Sequence, residues 1–117
     1  MEGTSQHFPP SARLRRQAEF RHVQSKGKRR ASSLLVIWFQ PNLAGLTRLG
    51  LAVSRKVGKA HDRNLLKRRL REMFRRRALP FEEGHDYVVA ARPGAAELDF
   101  AQLQSEMLKL LTSKGRR

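Results

Sequence analysis

The 117-residue chain has no cysteine. That excludes disulfides, thiolate metal sites and cysteine nucleophiles together, and it suits a reducing compartment. Acidic residues are scarce: ten Asp and Glu stand against twenty-five Lys and Arg, a formal charge of +15. A compact state so charged repels itself unless an anionic partner supplies counter-charge. Nucleic acid, an anionic membrane surface and an acidic protein all qualify in principle. No apolar run approaches the roughly 18 residues of a membrane span, which excludes a spanning role. Glycines are too dispersed to cradle a phosphate, since Gly3, Gly27, Gly45, Gly50 and Gly58 stand singly. Met1 to Pro10 lacks the apolar core and cleavage site of a secretory signal, so the expectation is a cytoplasmic protein with a loose N-terminal tail over residues 1–12.

Catalytic and metal chemistry also lack their usual residues. His7, His22, His61 and His85 show no metal-ligand spacing, and the carboxylates from Asp62 to Asp99 show no convergent pattern. No catalytic residue and no metal ligand is therefore expected in this chain.

What is present divides at Gly and Pro into six elements. A short helix from about Arg15 to Ser25, with Ser11 a possible cap, closes at Gly27 and places Phe20 and Val23 on one face. Leu34 to Phe39 is a β-branched and aromatic run that reads as a strand with apolar side chains on both faces. Arg48 to Arg55 alternates Leu49, Leu51 and Val53 against Gly50, Ala52 and Ser54, which predicts a hairpin partner for that strand and a shallow trough beside Val36 and Trp38. A long helix runs from Ala60 to about Leu79, stopped by Pro80. Asp86 to Arg92 is a further strand. Asp99 with Gln102 opens a last helix whose buried stripe is Phe100, Leu103, Met107, Leu110 and Leu111. Residues 114–117 form a basic tail. A helix between two strands predicts a crossover joining parallel strands, so the fold class is α+β, one small domain over residues 13–113 with helices packed on a mixed sheet.

At about 100° per residue, Leu66, Leu70, Met73 and Phe74 fall on one arc of the long helix. Asn64, Lys67, Arg68, Arg71 and Arg75 fall on an adjacent arc, with Arg69 and Arg76 flanking the far side and Glu72 the one acid among them. Like charges three and four apart destabilise an isolated helix, so a basic stripe without partner acids makes sense where phosphates meet it.

The stretch Val53-Ser54-Arg55-Lys56-Val57-Gly58-Lys59, continuing through Arg63-Asn64 to Lys67-Arg68-Arg69-Leu70-Arg71 and Arg75, resembles the signature of the bacterial ribonuclease P protein family. In that family a strand ending in Ser, two basic residues and Gly leads into a helix bearing Arg-Asn-Arg, then Lys-Arg and a further Arg. Arg63, Asn64, Lys67, Arg68 and Arg71 match, while Leu65 stands where the third motif residue is arginine. The resemblance runs from about Arg13 to Ser113. It implies a mostly antiparallel mixed sheet of about four strands with a left-handed βαβ crossover. It also implies a helix that contacts a catalytic RNA, and a cleft between the first helix and the sheet that receives the 5′ leader of precursor tRNA. Expected RNA-binding residues are Arg55, Lys56, Lys59, Arg63, Asn64, Lys67, Arg68, Arg69, Arg71 and Arg75.

Single-stranded RNA is commonly held by aromatic stacking in a basic groove. Phe20 and Trp38 are the candidates, matching leader-contacting aromatics of the family, although Gln24 replaces a second helix aromatic. Val36 and Ser54 would line the floor, with Arg48, Arg55 and Lys56 supplying charge. The resemblance makes the chain a subunit of an endoribonuclease whose chemistry and magnesium belong to the RNA subunit. Its expected partners are that RNA and precursor tRNA, with the protein monomeric in the particle. A generic basic RNA binder such as a ribosomal protein is the alternative, and a free-standing nuclease is a more remote one.

Overall fold

The computed structural model describes residues 12–14 and 16–112 of the chain. The expected cap Ser11, the start of the first helix at Arg15, and both tails lie outside those residues, apart from Ala12, which is already buried. Helix α1 is Gln17–Lys26, and the Glu19 carboxylate accepts the Arg16 N–H in its first turn. The helix closes at Gly27 because a side chain has no room there: a Cβ would stand 2.6 Å from the carbonyl oxygens of both Phe39 and Val23.

Directly after it comes strand β1, Lys28–Ala31, which the hydrophobic pattern does not reveal. Its Lys-Arg-Arg-Ala sequence carries no apolar alternation. It forms because its backbone pairs antiparallel with β2, Leu35–Pro41, from Lys28↔Phe39 to Ala31↔Val36. A basic strand at a sheet edge also discourages pairing with other chains.

The expected hairpin between the second and third strands does not form. Sheet order is β1-β2-β4-β3, so β4 (His85–Ala91) lies between β2 and β3 (Arg48–Ala52). β4 runs antiparallel to β2 and parallel to β3. Burial explains the insertion. Asp86 through Val89 are all buried, so β4 needs cover on both faces and a neighbour on each side, whereas β3, with Gly50 and Ala52, tolerates the outer place. Beyond β3, Arg13 bridges Leu49 in parallel register. The crossover from β3 to β4 passes through α2, Ala60–Arg75, as the order of elements requires.

One face of the sheet, with Leu35, Ile37, Leu49, Tyr87 and Val89, packs against Leu66, Leu70 and Met73 of α2 and Leu103, Met107 and Leu110 of α3 (Phe100–Thr112). The opposite face packs Val88 against Leu14 and Val23, with Phe20 and Trp38 at the margin. Asp99 and Gln102 exchange side chain to backbone hydrogen bonds at 2.8 and 2.9 Å, the capping box expected of α3. At the other end of α3, Arg30 Nη1 donates to the Leu110 and Leu111 carbonyls at 3.0 and 3.1 Å, placing a cation where the helix dipole favours one.

α2 stops one turn earlier than its composition suggests. Ala78 N–H bonds to Met73 C=O at 2.9 Å and Arg77 N–H to Phe74 C=O at 3.2 Å, a Schellman closure with Arg77 at φ +55. The turn brings Leu79 into the core, and that burial outweighs continued helix. Arginine pays the steric penalty of the left-handed conformation that glycine avoids, so Arg77→Gly is expected to stabilise the fold by about 1 kcal/mol, read as a rise in the urea midpoint.

Candidate nucleic-acid interface

α2 presents its charges as the helical spacing predicts, and its tertiary neighbours then sort them. Asn64, Arg68 and Arg71 are exposed, and Lys67 is half-buried beside them. Among the described residues, none of Lys67, Arg68 and Arg71 is ion-paired with a carboxylate. The Arg71 guanidinium is pushed below its usual range, first by partial desolvation and then by the nearby Arg13 charge.

Three arginines of the helix are engaged: Arg75 of the stripe, and Arg69 and Arg76 on its far side. Arg75 and Arg76 both clamp Glu72, at 2.5 and 2.6 Å, because they stand three and four residues beyond it on the helix. The hydrogen bond from Arg75 is the main cause that holds the Glu72 carboxyl below the usual carboxylate range. Arg69 Nη1 donates to Leu98 C=O at 2.6 Å, tying α2 to the segment before α3. Arg63 is half committed, with Nε on Gly58 C=O at 3.1 Å, so it braces the turn that leads into the helix.

That turn is a single 3-10 turn, Arg55–Val57, buried at Val57 and capped by Ser54, whose hydroxyl accepts the Lys56 N–H at 3.3 Å. Ser54 therefore caps the turn just past β3 and is exposed there. The turn and the residues after it leave Arg55, Lys56 and Lys59 exposed next to the start of α2, so the basic surface continues past the helix.

The second surface is the trough on the opposite face of the sheet. A concavity of about 380 Å³ lies between α1 and β3, lined by Gln17, Phe20, Arg21, Gln24, Leu51 and Ala52. Phe20 forms its wall because Gly50 makes room: a Cβ at Gly50 would approach the ring at 2.7 Å. Phe20 is thus both core and lining. Trp38 is half-buried on the same face, with the Arg29 guanidinium 5.9 Å from its ring centroid, and Val36 is buried next to it. Arg48 supplies no free charge here. Its Nε and Nη2 donate to the two carboxylate oxygens of buried Asp86 at 2.8 and 2.9 Å, and Asn42 Nδ2 adds a bond to Asp86 at 2.8 Å. The hydrogen bond to Asp86 is the main cause that raises the Arg48 guanidinium above its usual range. Sequence reasoning missed Arg29 and Arg21. Arg21 stands one residue from Phe20, but only strand register could place Arg29 beside Trp38.

The fold and its two cation-bearing surfaces define a small α+β nucleic-acid-binding protein. The profile of the Ribonuclease P family matches residues 8–115. A ribonuclease P protein component of Clostridium botulinum (strain Loch Maree / Type A3) is 36% identical over 104 residues, covering 88% of this chain and 94% of the relative. One from Caldanaerobacter subterraneus subsp. tengcongensis is 39% identical over 99 residues, covering 85% of each. Among solved structures, the RNase P protein from Thermotoga maritima in complex with 1-(4-fluorophenyl)-2-thiourea matches with TM-score 0.77 at 36% identity, covering 86% of this chain and 97% of that one. Staphylococcus aureus RNase P protein matches with TM-score 0.78 at 31% identity, covering 86% and 92%. The chain belongs to the ribonuclease P protein component family, which gives it a part in tRNA 5′ maturation within an endoribonuclease.

Proposed function

We propose that the chain binds the catalytic RNA of ribonuclease P through α2 and the turn before it, and holds the 5′ leader of precursor tRNA in the trough beside α1. The observation that carries this reading is the set Lys67, Arg68 and Arg71, cations with no carboxylate partner among the described residues, on the edge of α2 adjoining its buried one. Their charge screens crowded RNA phosphates, and Phe20 and Trp38 offer apolar rings for bases. Cleavage chemistry and magnesium belong to the RNA subunit in this reading. Among the described residues no group of three or more His, Asp or Glu could hold a metal ion. The protein acts as a monomer in the cytoplasm, and among the described residues no helix is long and apolar enough to cross a membrane.

The test adds purified protein to a bacterial ribonuclease P RNA at low magnesium with precursor tRNA as substrate. Leader removal is expected only with both subunits. Trp38→Ala is expected to lower affinity for precursor tRNA by about tenfold, the scale of one lost base-aromatic stack, while mature tRNA binds as before. Equal loss on every RNA tested would instead favour a generic basic binder, and cleavage by the protein alone would make it a nuclease in its own right.

A further inference from the structure

The strand register arranges the trough side of the sheet in rows. Ala52, Ala90, Val36 and Ala31 are successive partners across β3, β4, β2 and β1, and so are Gly50, Val88, Trp38 and Arg29. α1 covers part of the second row, with Phe20 against Gly50 and Val23 packed with Val88. The first row carries nothing larger than valine. With strands about 4.8 Å apart, it forms a flat strip about 14 Å long from the β3 edge to the β1 edge.

Both ends of that strip are basic. At the β3 end the chain continues into exposed Arg55 and Lys56. At the β1 edge, two residues before Ala31 and on the same face, stands Arg29, exposed, its guanidinium 5.9 Å from the Trp38 ring, and among the described residues it has no carboxylate partner. Its neighbour Arg30 points to the opposite face, where the α3 carbonyls and the Phe39 ring hold it. Of two adjacent arginines, one is committed to the fold and the other faces the trough.

We infer that Arg29 is a second anchor for the precursor leader, a specificity-determining residue that takes the nucleotides farthest from the cleavage site where they leave the trough over β1. The inference rests on the leader reading given above. A planar cation beside an indole offers one base a stacking surface and the adjoining phosphate a charge, which suits a single strand of any sequence. Arg29 then acts only on leaders long enough to cross all four strands.

The experiment measures affinity of the reconstituted holoenzyme for precursor tRNAs whose leaders run from about two to about ten nucleotides, within the site sizes single-strand grooves span. Arg29→Gln is expected to lose about 5- to 10-fold on the longest leaders, the scale of a lost stacking contact, and under about 2-fold on the shortest leaders and on mature tRNA. Arg29→Lys, which restores charge without the planar group, is expected to recover part of the loss. Thermal unfolding of both variants should match the parent, because the side chain is exposed. A loss independent of leader length, or a loss of affinity for the ribonuclease P RNA itself, would overturn the inference by making Arg29 a general or RNA-subunit contact. So would Arg29→Gln behaving as the parent on long leaders while Trp38→Ala does not. If the parent holoenzyme failed to prefer precursor over mature tRNA, the leader reading would fall and take this inference with it.

Discussion

Replacing Lys67, Arg68 and Arg71 together with alanine is expected to weaken binding to the ribonuclease P RNA by about two to three orders of magnitude near 0.1 M salt, while the protein stays folded. Each phosphate contact adds about 0.7 to 0.9 to the slope of log affinity against log salt, so the variant should also lose about two to three units of slope. Stability should hold or rise. Alanine is the best helix former, and removing stacked like charges relieves repulsion along α2, whose buried edge of Leu66, Leu70 and Met73 is untouched. A salt titration of binding checks both numbers. Arg75→Ala serves as the comparison, because Arg75 is already engaged with Glu72 and should cost far less affinity than its position in the stripe suggests. An unchanged slope in the triple variant would mean that this edge of the helix does not meet phosphate.

Arg48→Met is expected to cost about 3 to 5 kcal/mol of stability, enough to lower Tm by more than about 10 °C in a domain of this size. The substitution leaves Asp86, only 5% exposed, with Asn42 as its remaining side-chain partner among the described residues. Three segments meet at that carboxylate: β3 through Arg48, β4 through Asp86 itself, and the loop after β2 through Asn42, which also binds Leu46 C=O at 3.0 Å. The double variant Arg48→Met with Asp86→Leu should recover much of the loss, since an apolar pair of similar volume carries no buried charge. Thermal and urea unfolding of the two single variants and the double variant measures the coupling. Recovery would identify the cluster as structural, and the trough as a surface that gets no free charge from Arg48.

Some of the site was legible before any fold. The location of α2, its apolar edge and its basic edge follow from helical spacing and from the scarcity of acids, both local properties. The Asp99 and Gln102 cap is equally local. A trough was anticipated from the alternation of Gly50 and Ala52 with larger residues, but directly beside Val36 and Trp38; the register instead sets Val88 and Ala90 of β4 between them. The strand order was not legible: a short loop between two strand-forming segments suggests a hairpin, yet β4, more than thirty residues downstream of β3, takes the place between them. Nor was β1, whose composition is that of a loop.

The sequence by itself determined that this is a cationic α+β domain with one amphipathic helix charged on its exposed side, because net charge, periodicity and capping depend on residues a few positions apart. Only the tertiary structure decided which cations are drawn into the fold. Arg48 meets Asp86 across 38 positions, Arg69 reaches Leu98 across 29, and Arg30 reaches the end of α3 across 80. Such pairings are set by which strands lie side by side and which helix ends abut the sheet, and no local pattern encodes that.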